Sequence, residues 1–257
     1  MKPGGTTAKH RPDSQYARRR CFFVAKNEIE RNTEYKEYER CRFDHVFIDV
    51  DSCLVGIEGI DELARMNNCI DEVEKLTKLA MNGDVPFDAV FENRLTIIKP
   101  HTDDLIRVGE MYLENITPNA SDIIRRLKLG GVTVWLISGG YDEAIYPLAD
   151  FVGVNRTHVL ANHLLFNTNG EYQGFDCINP LCRKMGKREC ITKLKEEGLV
   201  IGKVAIIGDG MSEMETKGVV DICIGFGGHV IREKVKNMAD VFVTAKTFRA
   251  LVPILFE

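Results

Sequence analysis

A set of short apolar runs, beginning with HVFIDV at His45, constrains this chain more than any other feature. HVFIDV is continuously hydrophobic rather than alternating, and it ends in acids, as a strand does when buried on both faces of a parallel sheet. GVTVWLIS from Gly131, THVLA from Thr157, KVAIIGDG from Lys203, VDICIG from Val220 and DVFVT from Asp240 repeat the signature. Amphipathic segments of helix length separate most of them. Such alternation predicts an α/β fold, a Rossmann-like doubly wound parallel sheet. Two interruptions modify it. From about Glu58 to Ile116 the apolar spacing is helical, as in IDELARM and VEKLTKLAM, so a helical cap is expected directly after the first strand. After Ala161, NHLLFNTNGEYQGFD sets Asn-Gly between two short runs, the mark of a small β-hairpin. The expected division is a polar, basic extension over 1–42, a core over 43–57 and 116–257, and the cap over 58–115.

Composition narrows the function classes. A chain of 257 residues, 44% hydrophobic, can bury one sizeable core. Its longest apolar stretches fall well short of the roughly 20 residues that a membrane span needs. The net charge of -4 leaves no footprint for nucleic acid. The first 42 residues hold eleven Lys/Arg against six Asp/Glu, so the basic excess is confined to the extension. That extension lacks the apolar segment of a secretory signal, which predicts a cytoplasmic protein, with organelle targeting as the alternative. The eight cysteines include no C-x-x-C pair and read as reduced core thiols. Nothing in the sequence speaks to oligomeric state.

Ligands of open α/β sheets bind at the carboxyl ends of strands, so the residues that follow the apolar runs are the candidates. Asp49 and Asp51 stand one residue apart after the first run: one carboxylate can attack phosphorus while the other protonates the leaving oxygen and later activates water. Ser138, Gly139 and Gly140 follow GVTVWLI and offer a hydroxyl and open backbone N–H groups to phosphate oxygens. Lys187 opens a helical segment and can neutralise charge on phosphate and nucleophile. Asp209, after KVAII, supplies a hard oxygen ligand suited to Mg²⁺, which Asp49 would share. Taken singly, each group is an ordinary turn or a solvated surface residue. Their order along one sheet edge is what phosphoryl transfer requires, because its catalysis is mostly positioning and neutralisation.

On these residues the chain resembles the haloacid-dehalogenase-type phosphatases, and within them the phosphoserine phosphatase branch. FIDVDSCLVGIEGIDELA, TKLAMNGDVPFDAVFENRL, LISGGY, NGEYQGFD, IIGDGMSEME and IGFGGHVIREKVK carry the resemblance from about Asp44 to Leu251. It implies hydrolysis of O-phospho-L-serine, the last step of serine biosynthesis, through an aspartyl-phosphate on Asp49, with Asp51 as acid/base. It implies Mg²⁺ held by Asp49, Asp209 and the main-chain carbonyl of Asp51. Ser138, Gly139, Gly140, Ser212 and Lys187 would hold the phosphate end, Glu58 the substrate ammonium and Arg94 its carboxylate. Met81, Gly83 and Phe87 would shape the pocket. Glu213, Asn82, Cys53 and Ser212 depart from the residues usual in that branch. The longer Glu213 is expected to disturb the outer shell of the metal, which together with Asn82 makes a catalytically impaired binding protein one competing reading; the other is a phosphatase for another small phosphomonoester, since a shared core does not fix the substrate.

Overall fold

In the computed structural model, residues 40–82 and 87–257 are described, excepting the side chains of 78–82, 87 and 88. The strands are β1 (His45–Ile48), β2 (Thr133–Tyr141), β3 (Val159–Asn162), β4 (Leu164–Phe166), β5 (Tyr172–Phe175), β6 (Val204–Gly208), β7 (Ile222–Phe226) and β8 (Val241–Val243). Six form one sheet in the order β3-β2-β1-β6-β7-β8, every neighbouring pair parallel. All six apolar runs are therefore strands of the expected parallel sheet.

The helices are α1 (Gly59–Met66), α2 (Ile70–Asn82), α3 (Phe87–Ile98), α4 (Thr102–Glu114), α5 (Ala120–Leu129), α6 (Asp142–Val152), α7 (Gly186–Glu196), α8 (Met211–Met214), α9 (Glu233–Met238) and α10 (Val252–Leu255). They leave an apolar cluster on each face of the sheet. Val46 and Ile48 join one with Val134, Leu136, Ala205 and Ile207, while Phe47 joins the other with Trp135, Ile137 and Ile206. The rings of Phe47 and Trp135 stack 5.5 Å apart at 12°. Burial on both faces is why β1 shows no polar alternation.

The helical insertion leaves the core at Val55 and returns at Ile116, and these two residues form an antiparallel bridge. Gly56 N donates to Asn115 O at 2.9 Å and Thr117 N to Leu54 O at 2.9 Å, so both crossings are stitched together. Helix α4 lies close on core helix α6: a β-carbon on Gly109 would sit 3.0 Å from the Ala144 carbonyl oxygen. β4 and β5 form the expected hairpin, with Gly170 at φ +84. Its tip docks on the start of α4, where Thr102 N donates to Gly170 O at 3.0 Å and His101 Nε2 donates to Asn169 O at 2.8 Å. At the near end of the expected extension, Cys41 bridges to Phe256 and Arg42 Nε donates to the Phe256 carbonyl at 2.9 Å. Among the described residues no helix is long and apolar enough to cross a membrane, and none of the seven cysteines is in a disulfide.

Candidate active site

Asp49 N extends the ladder by donating to Ile207 O at 2.9 Å, and there the strand ends in a tight coil. Leu54 N donates to Asp49 O and Val55 N to Val50 O, both across five residues, with Ser52 left-handed at φ 52. This winding brings both carboxylates of the D-x-D to one end of the sheet. Asp49 Oδ1 accepts from its neighbour Val50 N at 2.9 Å and from Lys187 Nζ at 2.6 Å. Asp51 takes a different set: Oδ1 accepts from Gly59 N and Tyr112 Oη, each at 2.7 Å, and Oδ2 from Ser138 Oγ at 3.1 Å.

Ser138, Gly139 and Gly140 lie in a bulge. Ile137 is opposite Leu160 and Tyr141 opposite Asn162, so β2 takes four steps where β3 takes two. The additional residues leave the ladder and turn toward the D-x-D coil. Gly140 has little room for a side chain, since a β-carbon would lie 3.0 Å from Asp51 Oδ2 and 3.1 Å from Ser138 Oγ and would press on both. Its N–H donates to Ser138 Oγ at 2.8 Å, which directs the hydroxyl proton to Asp51.

Asp209 follows β6 and is buried. Arg232 Nη2 lies 2.8 Å from its Oδ2, yet that oxygen accepts no hydrogen bond, because the pair is a charge contact without donor alignment. Glu213 is fully buried and fully used: Oε1 accepts from Lys187 Nζ at 2.5 Å and Ser212 Oγ at 2.7 Å, and Oε2 from Gly210 N at 2.8 Å. A β-carbon on Gly208 would overlap the Glu213 side chain. The glycine thus makes room for the additional methylene, and the longer acid is seated rather than displaced.

Carboxylate oxygens of Asp49, Asp209 and Glu213 lie within 4.8 Å of one another and could hold a metal ion. Burial raises the Asp49 carboxyl well above the usual range, with Glu213 and Asp209 adding to the rise and Lys187 opposing it. Burial also lifts Asp209 to about 6 against the pull of Arg232. Glu213 goes the other way: Lys187, Ser212 and Gly210 overcome its burial and hold it low. Three buried acids facing Lys187 and, at the edge of the cluster, Arg232, with one Asp209 oxygen accepting no hydrogen bond, are short of positive charge.

On the helical side, Glu58 Oε1 accepts from Ser52 Oγ at 2.6 Å and lies 3.6 Å from Arg232 Nη2. Although 36% of its side chain is exposed, burial of the carboxyl beside Asp51 pushes it up to about 8. Arg94 of α3 is half-buried, with its Nε sealed from solvent and lacking a hydrogen-bond partner. Met81, Gly83 and Phe87 lie outside the residues whose side chains are described. Cys53 is a buried thiol, raised by burial and the neighbouring acids, hence unreactive.

The structure adds Tyr112, Asn162 and Arg232 to the residues expected from sequence. Tyr112 reads as one more apolar position of an amphipathic helix, and Asn162 as part of a hairpin. Arg232 stands in IREKVK, where nothing in residue type separates it from Lys234 or Lys236.

Residues 46–213 match the family model of haloacid dehalogenase-like hydrolases. Phosphoserine phosphatase of Homo sapiens is 40% identical over 201 residues, covering 78% of this chain and 89% of that protein. The Bos taurus enzyme of the same name is 39% identical over 204 residues, covering 79% and 90%. Among solved structures, a phosphoserine phosphohydrolase-like protein from Francisella tularensis superposes with a TM-score of 0.69 at 26% identity, covering 79% of this chain and 95% of its own. With its sheet order, its D-x-D coil and this span of likeness, the chain belongs to the haloacid dehalogenase-like hydrolases and stands among their phosphoserine phosphatases.

Proposed function

We propose that the protein hydrolyses O-phospho-L-serine to L-serine and phosphate through a phosphoryl group carried on Asp49. The observation that carries this reading is the buried pairing of Asp49 with Lys187, beside an Asp209 oxygen that has no hydrogen bond. Both bonds to the Asp49 carboxylate fall on Oδ1, which leaves Oδ2 to meet phosphorus. As that bond forms, the serine oxygen leaves with a proton from Asp51; Asp51 then takes a proton from water, whose oxygen displaces Asp49 from phosphorus. Lys187, the Gly139 backbone and the Ser138 hydroxyl, once it turns from Asp51, would hold the phosphoryl oxygens, while the Gly140 N–H seats Ser138 and Ser212 stands at the rim. Glu58 would face the ammonium and Arg94 the carboxylate. A carboxyl raised to about 8 is restored to its charged form by an incoming cation, and a sealed Nε gains an acceptor.

Asp49 and Asp209, with the Asp51 main-chain carbonyl, would hold Mg²⁺, and Glu213 stands within reach. The ion would supply the positive charge that this cluster lacks, keeping Asp49 ionised and easing its approach to a phosphate dianion. The helices of 58–115 would act as the cap that shields the site during attack. This activity would place the chain at the phosphate-releasing step of serine biosynthesis, in the cytoplasm.

The test is phosphate release from O-phospho-L-serine, phosphoethanolamine and phosphoglycolate, with and without Mg²⁺. Magnesium-dependent release with a large preference for the first compound supports the assignment. A site built around both substrate charges rejects analogues lacking one by about 10⁴-fold. Equal kcat/KM for all three overturns the substrate, and absence of release from any overturns the chemistry.

A further inference from the structure

Asn162 closes β3 without any solvent exposure, yet it makes one hydrogen bond only. Its Nδ2 donates to the Gly139 carbonyl at 2.8 Å, while its Oδ1 is buried and accepts nothing. A primary amide half-satisfied in the interior is a poor way to fill space, since an apolar side chain of that size would leave no oxygen unpaired. Its one bond therefore indicates its use. That bond reaches into the β2 bulge, at the point where the strand has lost its ladder partners.

We infer that Asn162 is a positioning residue, which sets the phosphate-holding bulge and the Asp51 carboxylate through the peptide plane between Gly139 and Gly140. The peptide is rigid and trans, so a carbonyl fixed toward Asn162 fixes the Gly140 N–H in the opposite direction. That N–H donates to Ser138 Oγ at 2.8 Å, and Ser138 Oγ in turn faces Asp51 Oδ2 at 3.1 Å. Four groups thus form one directed chain: the Asn162 amide, the Gly139–Gly140 peptide, the Ser138 hydroxyl and the Asp51 carboxylate. Glycine at 139 and 140 leaves the peptide free to rotate, and no side chain restrains it: a β-carbon on Gly139 would meet nothing within 4 Å. The buried amide substitutes for the strand pairing that the bulge gave up. The inference rests on the proposed function, in which Ser138 and the bulge hold phosphate.

Asn162→Leu keeps the approximate volume and removes both the donor and the unpaired oxygen. In the full chain with saturating Mg²⁺, the variant should keep or raise its melting temperature while binding inorganic phosphate about tenfold or more weakly, the scale for losing a partner that orients a ligand. KM for O-phospho-L-serine should rise in step, and the amide resonance of Gly140 should shift in the ¹H–¹⁵N spectrum. Magnesium affinity should stay unchanged, because Asp49, the Asp51 main-chain carbonyl and Asp209 are set by β1, its closing coil and β6 rather than by β2. A purely structural role predicts the reverse, a lower melting temperature with phosphate affinity intact. Should Asn162→Leu not fold, Asn162→Ala gives the same reading, since it too removes the donor and the unpaired oxygen and adds no bulk. Phosphate binding by the variants that equals wild type overturns the inference alone. Wild type that neither binds phosphate nor hydrolyses the ester overturns the proposed function and this inference with it.

Discussion

The two ends of the same sheet use aspartate in opposite ways. At the amino edge, Asp44 accepts from Lys203 N at 2.7 Å, Asp221 from Val204 N at 2.7 Å and Asp240 from Cys223 N at 2.8 Å. Each precedes one strand and satisfies a backbone donor at the start of a neighbouring one, and Asp240 is held low despite its partial burial by Lys217 and that N–H. At the carboxyl edge, Asp49 and Asp209 are raised, and one oxygen of Asp209 has no hydrogen bond. The difference is one of partners. Half-exposed acids that each hold a backbone N–H stabilise the fold, whereas acids gathered in a dry pocket repel one another and cost stability even beside Lys187 and Arg232.

The largest effect that could break this contrast is on turnover. Asp49→Asn should abolish phosphate release while leaving the circular dichroism spectrum unchanged, because an amide is nearly isosteric with the carboxylate but a poor nucleophile. Substantial remaining turnover would remove Asp49 from that role.

Glu213→Asp comes next. A shorter acid cannot reach Lys187, Ser212 and Gly210 together from the same backbone, so kcat should fall about 10- to 100-fold with weaker Mg²⁺ dependence in a metal titration. An increase in kcat would mean that the longer side chain is a burden after all.

Asp209 offers a test in stability. With a folded value of about 6 against 3.8 for an ordinary aspartate, the folded state holds its proton longer than the unfolded state does. Stability from this group therefore falls as pH rises from about 4 to 6 and stays lost above. In metal-free protein, Asp209→Asn should raise stability at pH 8 by on the order of 3 kcal/mol and have little effect at pH 4, measured by urea unfolding. Equal effects at both pH values would show that Asp209 carries no burial penalty.

The smallest effect belongs to the amino edge. Asp240→Ala should cost about 1 kcal/mol of stability and leave kcat/KM unchanged, since it removes a side-chain acceptor of the Cys223 N–H at the opposite end of the sheet from Asp49. A change in kcat/KM larger than twofold would blur the division between the edges.

Much of this is legible in the sequence. Runs such as HVFI and VAIIG are apolar at every position because both faces are buried, and a strand ending in an acid points to the ligand-binding edge. The acids at 49, 51 and 209 could be placed there because a parallel sheet sends every strand end to the same side. What could not be read depends on packing between distant segments. The bulge at Ser138–Gly140 exists only against β3, Tyr112 reaches Asp51 across 61 positions of sequence, and Arg232 acquires its meaning from Asp209 and Glu58. Glu213 looks like a misfit by length alone, and only the room left by the missing side chain of Gly208, which the Glu213 side chain fills, shows how the longer acid is seated.

The bridge between Val55 and Ile116 has an evolutionary consequence. Sixty residues leave and rejoin the sheet at one hydrogen-bonded point, so the core experiences them as a single loop whose ends are already closed. Apart from Gly59 and Tyr112, which hold Asp51, and the seam of α4 on α6, their length and internal packing can drift without shifting the register of β1 against β2 and β6, on which Asp49, Ser138 and Asp209 depend. Selection can then remodel what the insertion admits to the pocket while the machinery beneath it is inherited unchanged.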